Sequence, residues 1–187
     1  MTTTESVETV FALYEYHGAA DYIGEPVSQL EHALQAAMMA EEEGYDIPVV
    51  LAALLHDIGH LVGLANGNAK SMNGFGATSH EDIGEAFLKS VNFPIAITAL
   101  VKAHVVAKRY LVSKHEGYYN QLSEASKETL IFQGGKMNEA EISNFEKHPD
   151  SQLFIQMRIW DDKAKLENFA TKDLGYFKQL CLHYLSR

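Results

Sequence analysis

The sequence predicts an all-α fold on two observations. Apolar residues recur at i, i+3, i+4 and i+7 in most segments, and nowhere do apolar and polar residues alternate over a convincing strand length. With 187 residues, 47% hydrophobic and 21% charged, the composition is globular, and residues 1–187 are expected to form one domain with a real core.

Taken in order, Ser28 to Glu43 places Leu30, Ala33, Leu34, Ala37 and Met38 on one helical face. His32 projects to the other side beside Ala36 and Met39, and because that side is also largely uncharged, this helix is expected to be covered twice. Pro48 suits a first turn, and the apolar run Val49 to Leu55 is read as a central helix that continues straight into His56 and Asp57. From Gly63 to Ser79 the period stops. Gly63, Gly67, Gly74, Gly76 and three asparagines supply turn chemistry for a long loop of the kind that can act as a lid. A short helix is expected from His80 to Val91. Another opens at Pro94 and carries Ile97, Leu100, Val101, His104, Val105 and Lys108, with His104 and Lys108 on one face. Beyond Tyr110 the pattern weakens into short helices, one capped by Asn138 with Glu141 completing a capping box after the Gly134-Gly135 turn. A last amphipathic stretch near Pro149 turns Leu153, Phe154, Met157 and Trp160 inward, with Asp161 one turn beyond Met157.

Charge and cysteine content narrow the class. Lys and Arg total 15 against 25 Asp and Glu, a formal net charge of -10, and no basic cluster offers a footprint for nucleic acid or an anionic membrane. Cys181 is the sole cysteine, so no intrachain disulfide forms. No signal-like start and no apolar run of about 18 residues is present, and the expected location is cytoplasmic.

The chemistry lies in His32, His56, Asp57, His80 and His104, read as lying within four separate helices. A carboxylate inside the apolar run before Asp57 needs a cation or a metal, because an unpaired buried anion costs several kcal/mol, roughly. Four histidines and an aspartate in helices would each demand a separate hydrogen-bond partner if no metal held them together. A metal site is therefore expected. His17, His115, His148 and His183 receive no role.

The order His32, His56-Asp57, His80, His104, Asp161 resembles the HD-domain superfamily in its di-iron form. Further matches are Tyr22-Ile23-Gly24-Glu25, Gln29-Leu30-Glu31-His32, Leu54 to His60, His104 to Tyr110, Gln133-Gly134-Gly135 and Arg158 to Asp162. These resemble the phosphonate-degrading HD oxygenases, and most of all the members acting on 2-amino-1-hydroxyethylphosphonate. The resemblance runs from about Ala20 to Lys165.

It implies an HD-domain helical bundle whose core holds two iron ions, mixed-valent Fe(II)/Fe(III). His32, His56 and Asp161 would hold one and His80 with His104 the other, with Asp57 bridging. Mixed imidazole and carboxylate ligands also suit iron or manganese better than structural zinc. The implied reaction consumes O2, removes the C1 hydrogen of a small organophosphonate and cleaves its C–P bond. Phosphate and a carboxylate result, the latter glycine when the substrate is (R)-2-amino-1-hydroxyethylphosphonate. Tyr22 and Glu25 match a pair that senses substrate, Tyr22 withdrawing from an iron and Glu25 binding the amine. Independently, a zwitterionic substrate needs opposite charges at the two ends of its pocket. Lys108 and His60, each one turn from an expected ligand, are placed for the phosphonate, with Ser126 and Arg158 as further candidates.

Two other readings stand beside this one within catalysis. The trimethylammonium analogue would give glycine betaine, and Tyr110, Tyr118 and Tyr119 could cage its cation. An HD phosphohydrolase would use metal-bound water and no O2. A non-catalytic module is disfavoured by the complete ligand set.

Overall fold

In a computed structural model, residues 1–22, 24–67, 72 and 77–187 are described. Among them the chain forms eleven helices, and an isolated bridge pairs Asp21 with Ser28. The helices are α1 (Thr3–His17), α2 (Gln29–Glu42), α3 (Ile47–Leu55), α4 (Ile58–Ala65), α5 (His80–Ser90), α6 (Ile95–Lys114), α7 (Tyr118–Gln121), α8 (Glu124–Phe132), α9 (Glu139–Glu146), α10 (Ser151–Lys163) and α11 (Leu174–Leu185). No single helix among the described residues is long and apolar enough to cross a membrane.

The centre of the bundle is α3, whose residues from Val50 to Leu55 are all buried. It packs between α2 and α6, while α10 lies against α2 and α6, and α5 joins α4 to α6. Pro94 caps α6, which spans 20 residues and buries side chains on nearly all its faces, from Ile97 through Lys108 to Val112. That is the pattern of an enclosed helix.

Local stops fix these helices. Ser28 caps α2 through a capping box with Glu31, and Asn138 does the same for α9 with Glu141, as the sequence predicts. Gly134 and Gly135, with φ of 94° and 65°, make the turn before α9.

Two expectations need correction. The apolar run does not continue through His56 and Asp57. α3 ends at Leu55, the axis bends by 44°, and α4 begins at Ile58, so His56 and Asp57 form the joint between two helices. With His80, which opens α5 as expected behind Ser79 in the left-handed region, these side chains sit at helix ends, where backbone geometry is freer than in a helix interior. Second, the helical period does not stop at Gly63, because α4 continues to Ala65. Of the proposed lid from Gly63 to Ser79, residues 68–71 and 73–76 lie outside the described residues.

The terminal helices α1 and α11 were not legible from apolar spacing, yet they pack on each other and close one side of the core with Val7, Phe11, Phe177 and Cys181. The Thr2 and Glu5 capping box is the signal that could have found α1.

Candidate metal centre

Six side chains from five places in the fold meet at the centre. His32 comes from α2, His56 and Asp57 from the α3–α4 joint, His80 from the start of α5, His104 from mid-α6 and Asp161 from α10. All six are buried. They form two overlapping groups, His32, His56, Asp57 and Asp161 in one and Asp57, His80 and His104 in the other, each with its donor atoms within 4.8 Å of one another.

Asp57 belongs to both groups and divides its oxygens between them. Oδ2 faces His32 and His56 Nε2 at 3.6 and 3.5 Å, while Oδ1 faces His80 and His104 Nε2 at 3.1 and 3.4 Å. Asp161 turns Oδ1 to His32 at 3.5 Å and gives Oδ2 to the Arg158 guanidinium at 2.7 Å.

The donor set fits metal on the geometry of the imidazoles. His32 Nδ1 lies 2.8 Å from the Ala164 carbonyl, His56 Nδ1 2.8 Å from that of Ala53, and His104 Nδ1 2.6 Å from that of Val101. A carbonyl only accepts, so each Nδ1 carries the proton and each neutral ring presents its lone pair at Nε2. The lone pairs of His32 and His56 point at each other at 3.0 Å, and His80 Nε2 lies 2.9 Å from that of His104. Two facing lone pairs repel unless a cation stands beside them. Asp57 Oδ2 is also buried without a hydrogen-bond partner among the described residues, an orphan that a metal would satisfy.

Burial pushes His56 down to about 4, so its ring is neutral, the state a metal ligand requires, and with help from His80 it pushes the neighbouring His60 down to about 3, whereas at His104 burial is outweighed by Asp57, which raises it. Burial alone would raise Asp57, but His56, His104 and His80 hold it well below the usual carboxylate range. For Asp161, burial is likewise outweighed, chiefly by Arg158.

One glycine makes this meeting possible. A Cβ at Gly59 would come within 1.9 Å of the His80 carbonyl oxygen, so only glycine lets the start of α4 touch the start of α5. That contact brings His80 to Asp57.

Beside the centre lies a cavity of about 280 Å³. Asp57, His80, His104 and Asp161 face it; His60, Lys108, Ser126 and Arg158 line it, and so do Tyr22, against His32, and Glu25, beside Lys165. His32 and His56 stand behind Asp57. The pocket is therefore cationic on one wall and anionic at the centre.

Lys108 and Arg158, which a charge count would place at the surface, are both buried. Lys108 donates to Thr129 Oγ1 and Gln133 Oε1, each at 2.9 Å, and burial, reinforced by Arg158, pulls its pKa down to about 7. One N–H of the three remains. His60 stacks on His80 at 4.1 Å and accepts the Ala77 N–H at Nδ1, which leaves its Nε2–H as a donor. Arg158 is heavily committed: besides Asp161 it donates to Asp162, to the Tyr118 hydroxyl at 3.0 Å and to Ser126 Oγ at 3.1 Å.

The Tyr22 to Val27 turn is closed by Tyr22 N–H to Val27 and Glu25 N–H to Tyr22, with Gly24 at φ 85°. It stacks Tyr22 on His32, ring centroids 4.1 Å apart and 13° from parallel. Burial, then the charges of Asp57 and Asp161, holds the Tyr22 phenol well above its ordinary pKa. Glu25 accepts from Ser123 Oγ at 2.5 Å and Lys165 Nζ at 2.6 Å.

Sequence reasoning missed Lys165, Ser123 and Thr129, which contact the expected residues from far along the chain and carry no local signal. It also passed over Glu81, whose Oε2 lies 3.7 Å from His80 Nδ1. An acid directly after a ligand histidine was the signal for that one. Of the three tyrosines proposed as a cage, Tyr118 binds Arg158 and Asp162, Tyr110 stacks on Phe145, and Tyr119 is exposed.

The HD domain family model matches residues 30–133. Three relatives match nearly the whole chain. An uncharacterized protein of Acanthamoeba polyphaga mimivirus is 42% identical over 97% of this chain and 83% of its own length. A 1-hydroxy-2-(trimethylamino)ethylphosphonate dioxygenase of Leisingera caerulea, which forms glycine betaine, is 39% identical over 91% of this chain and 86% of its own. A hydroxymethylphosphonate dioxygenase of Gimesia maris is 41% identical over 92% and 85%. With a buried histidine–aspartate centre suited to metal and relatives of this kind along nearly its full length, the chain belongs to the HD-domain family and, within it, to the phosphonate dioxygenases.

Proposed function

We propose that this enzyme cleaves the C–P bond of a small 1-hydroxyphosphonate with O2 at a di-iron centre, its substrate being (R)-2-amino-1-hydroxyethylphosphonate and its products glycine and phosphate. The observation that carries the reading is the division of Asp57, one oxygen toward His32 and His56 and the other toward His80 and His104. A single carboxylate between two imidazole pairs would hold two metals. Asp161 completes the first set. Bound there as a mixed-valent Fe(II)/Fe(III) pair, iron would supply O2 activation and chelation of the substrate's hydroxyl and phosphonate oxygens.

The protein's own groups do the rest. The spare Lys108 N–H and the His60 Nε2–H point the phosphonate into the centre, with Ser126 and the Arg158 charge behind it. Arg158 also holds Asp161 in place through its second oxygen. Glu25 is the acceptor for the amine, and Tyr22, stacked on His32, covers the centre until substrate displaces it. The reaction balances as one phosphonate plus one O2 giving one carboxylate and one phosphate, each product gaining one oxygen atom.

The trimethylammonium analogue is the second substrate to try, since a relative of 39% identity is named for it. The same pocket without redox chemistry would serve a phosphohydrolase. These readings separate when iron-loaded protein is mixed in air with the amino and trimethylammonium phosphonates while dissolved O2 and phosphate are followed together. Equal loss of O2 and gain of phosphate, with glycine from the amino compound, supports the proposal; phosphate released from esters with no O2 consumed replaces it with hydrolysis. The small phosphonate and O2 are the proposed partners, with no nucleic acid or membrane, in a cytoplasmic setting.

A further inference from the structure

The cavity already contains a cation beside Glu25. Lys165 Nζ lies 2.6 Å from Glu25 Oε1, and Ser123 Oγ donates to the same oxygen. Both side chains of the ion pair are largely buried, Lys165 at 15% and Glu25 at 9% exposure, and both line the cavity. Lys165 also stands 5.9 Å from the Tyr22 ring centroid.

Nor is Lys165 free to leave with its backbone. The preceding carbonyl, Ala164, holds His32 Nδ1 at 2.8 Å, and the following residue, Leu166, exchanges two 3.0 Å hydrogen bonds with the Gln35 side chain. The segment is thereby tied to α2 on both sides of Lys165. Only the side chain can give way.

A substrate ammonium approaching Glu25 must therefore take the place of Lys165 or settle beside a like charge, and either is unfavourable in a partly desolvated pocket. A substrate with a neutral tail meets neither obstacle. Resting on the phosphonate reading of the pocket above, we infer that Lys165 is a specificity-determining residue: it competes with the substrate's cation for Glu25, so the amino compound proposed above binds by displacing it and with a smaller advantage over a neutral tail than a free Glu25 would give.

Anaerobic titration of the iron-loaded protein with 2-amino-1-hydroxyethylphosphonate and with hydroxymethylphosphonate tests this by Kd ratio. Lys165→Met should improve the ratio in favour of the amino compound by about tenfold, the worth of one charged contact, and Lys165→Gln should move it the same way. Hydroxymethylphosphonate should bind the variants as it binds the parent. In a Glu25→Gln background the Lys165→Met change should leave the ratio unmoved, because nothing remains to compete for. A ratio that is unchanged, or that falls in both single variants, overturns the inference and makes Lys165 a support for Glu25. Should neither phosphonate bind the parent, the inference and the proposed function fail together. Should the ratio shift as expected while no O2 is consumed in air, the oxygenase reading fails and the competition stands.

Discussion

The two ends of the cavity are built on opposite plans. At the metal end, five segments converge on one carboxylate, every side chain is buried, and three imidazoles are oriented by backbone carbonyls. At the tail end, a turn carries Glu25, and two remote side chains share one of its oxygens. The first arrangement fixes chemistry, since moving any ligand means moving a core helix. The second can be retuned by side-chain substitution, as suits the part of a pocket that chooses among tails.

If that contrast is right, damage at the metal end is severe and damage at the tail end selective. Asp57→Ala should have the largest effect: it removes the one side chain that, among the described residues, both imidazole pairs share, and metal analysis should find dinuclear occupancy lost. Full occupancy of two metals in that variant would break the comparison at its strongest point. Gly59→Ala comes next. Its Cβ would meet the His80 carbonyl at 1.9 Å, and pushing α5 away should cost about 1–3 kcal/mol by overpacking and weaken metal held by His80 before that held by His32. Unchanged melting temperature and metal content would show that the α4–α5 contact is slack.

Lys108→Met should weaken phosphonate binding roughly 10–100-fold, as loss of a charge-assisted hydrogen bond of about 1.5–3 kcal/mol does. The pH dependence carries a sign. Lys108 sits near 7, below its ordinary value, so its charge is present at lower pH and is lost as pH rises through about 7. Phosphonate KM should accordingly rise above pH 7 in the parent, and that limb should flatten in Lys108→Met; a parent KM flat from pH 6 to 9 would remove Lys108 from the phosphonate seat. The smallest effect belongs to Glu25→Ala, which should cost affinity for the amino compound about tenfold, the lower range for one charged contact, and leave hydroxymethylphosphonate nearly untouched. Equal loss for both would make the turn a structural element of the whole site.

The same contrast governs what could be read from the chain. The metal end was legible, because histidines and aspartates in apolar surroundings are chemically conspicuous and α2, α6 and α10 announce themselves by period. The bend at His56 and Asp57 was not, since an apolar run has no mark for a 44° break in its axis. The tail end was half legible: the Tyr22 to Glu25 turn has Gly24 to signal it, whereas the partners of Glu25 lie 98 and 140 residues away and are an ordinary serine and lysine. Burial of Lys108 and Arg158 was hidden too. A cation's surroundings depend on Thr129, Gln133, Tyr118 and Asp162, which come together only in the fold.

The central claim is that oxygen from O2 enters the products at this centre. Turnover of 2-amino-1-hydroxyethylphosphonate by iron-loaded protein under ¹⁸O-labelled O2, with mass analysis of the glycine, tests it directly. The account predicts one labelled oxygen in the carboxylate of each glycine formed. Phosphate released with no label in any product, and equally fast without O2, would contradict it.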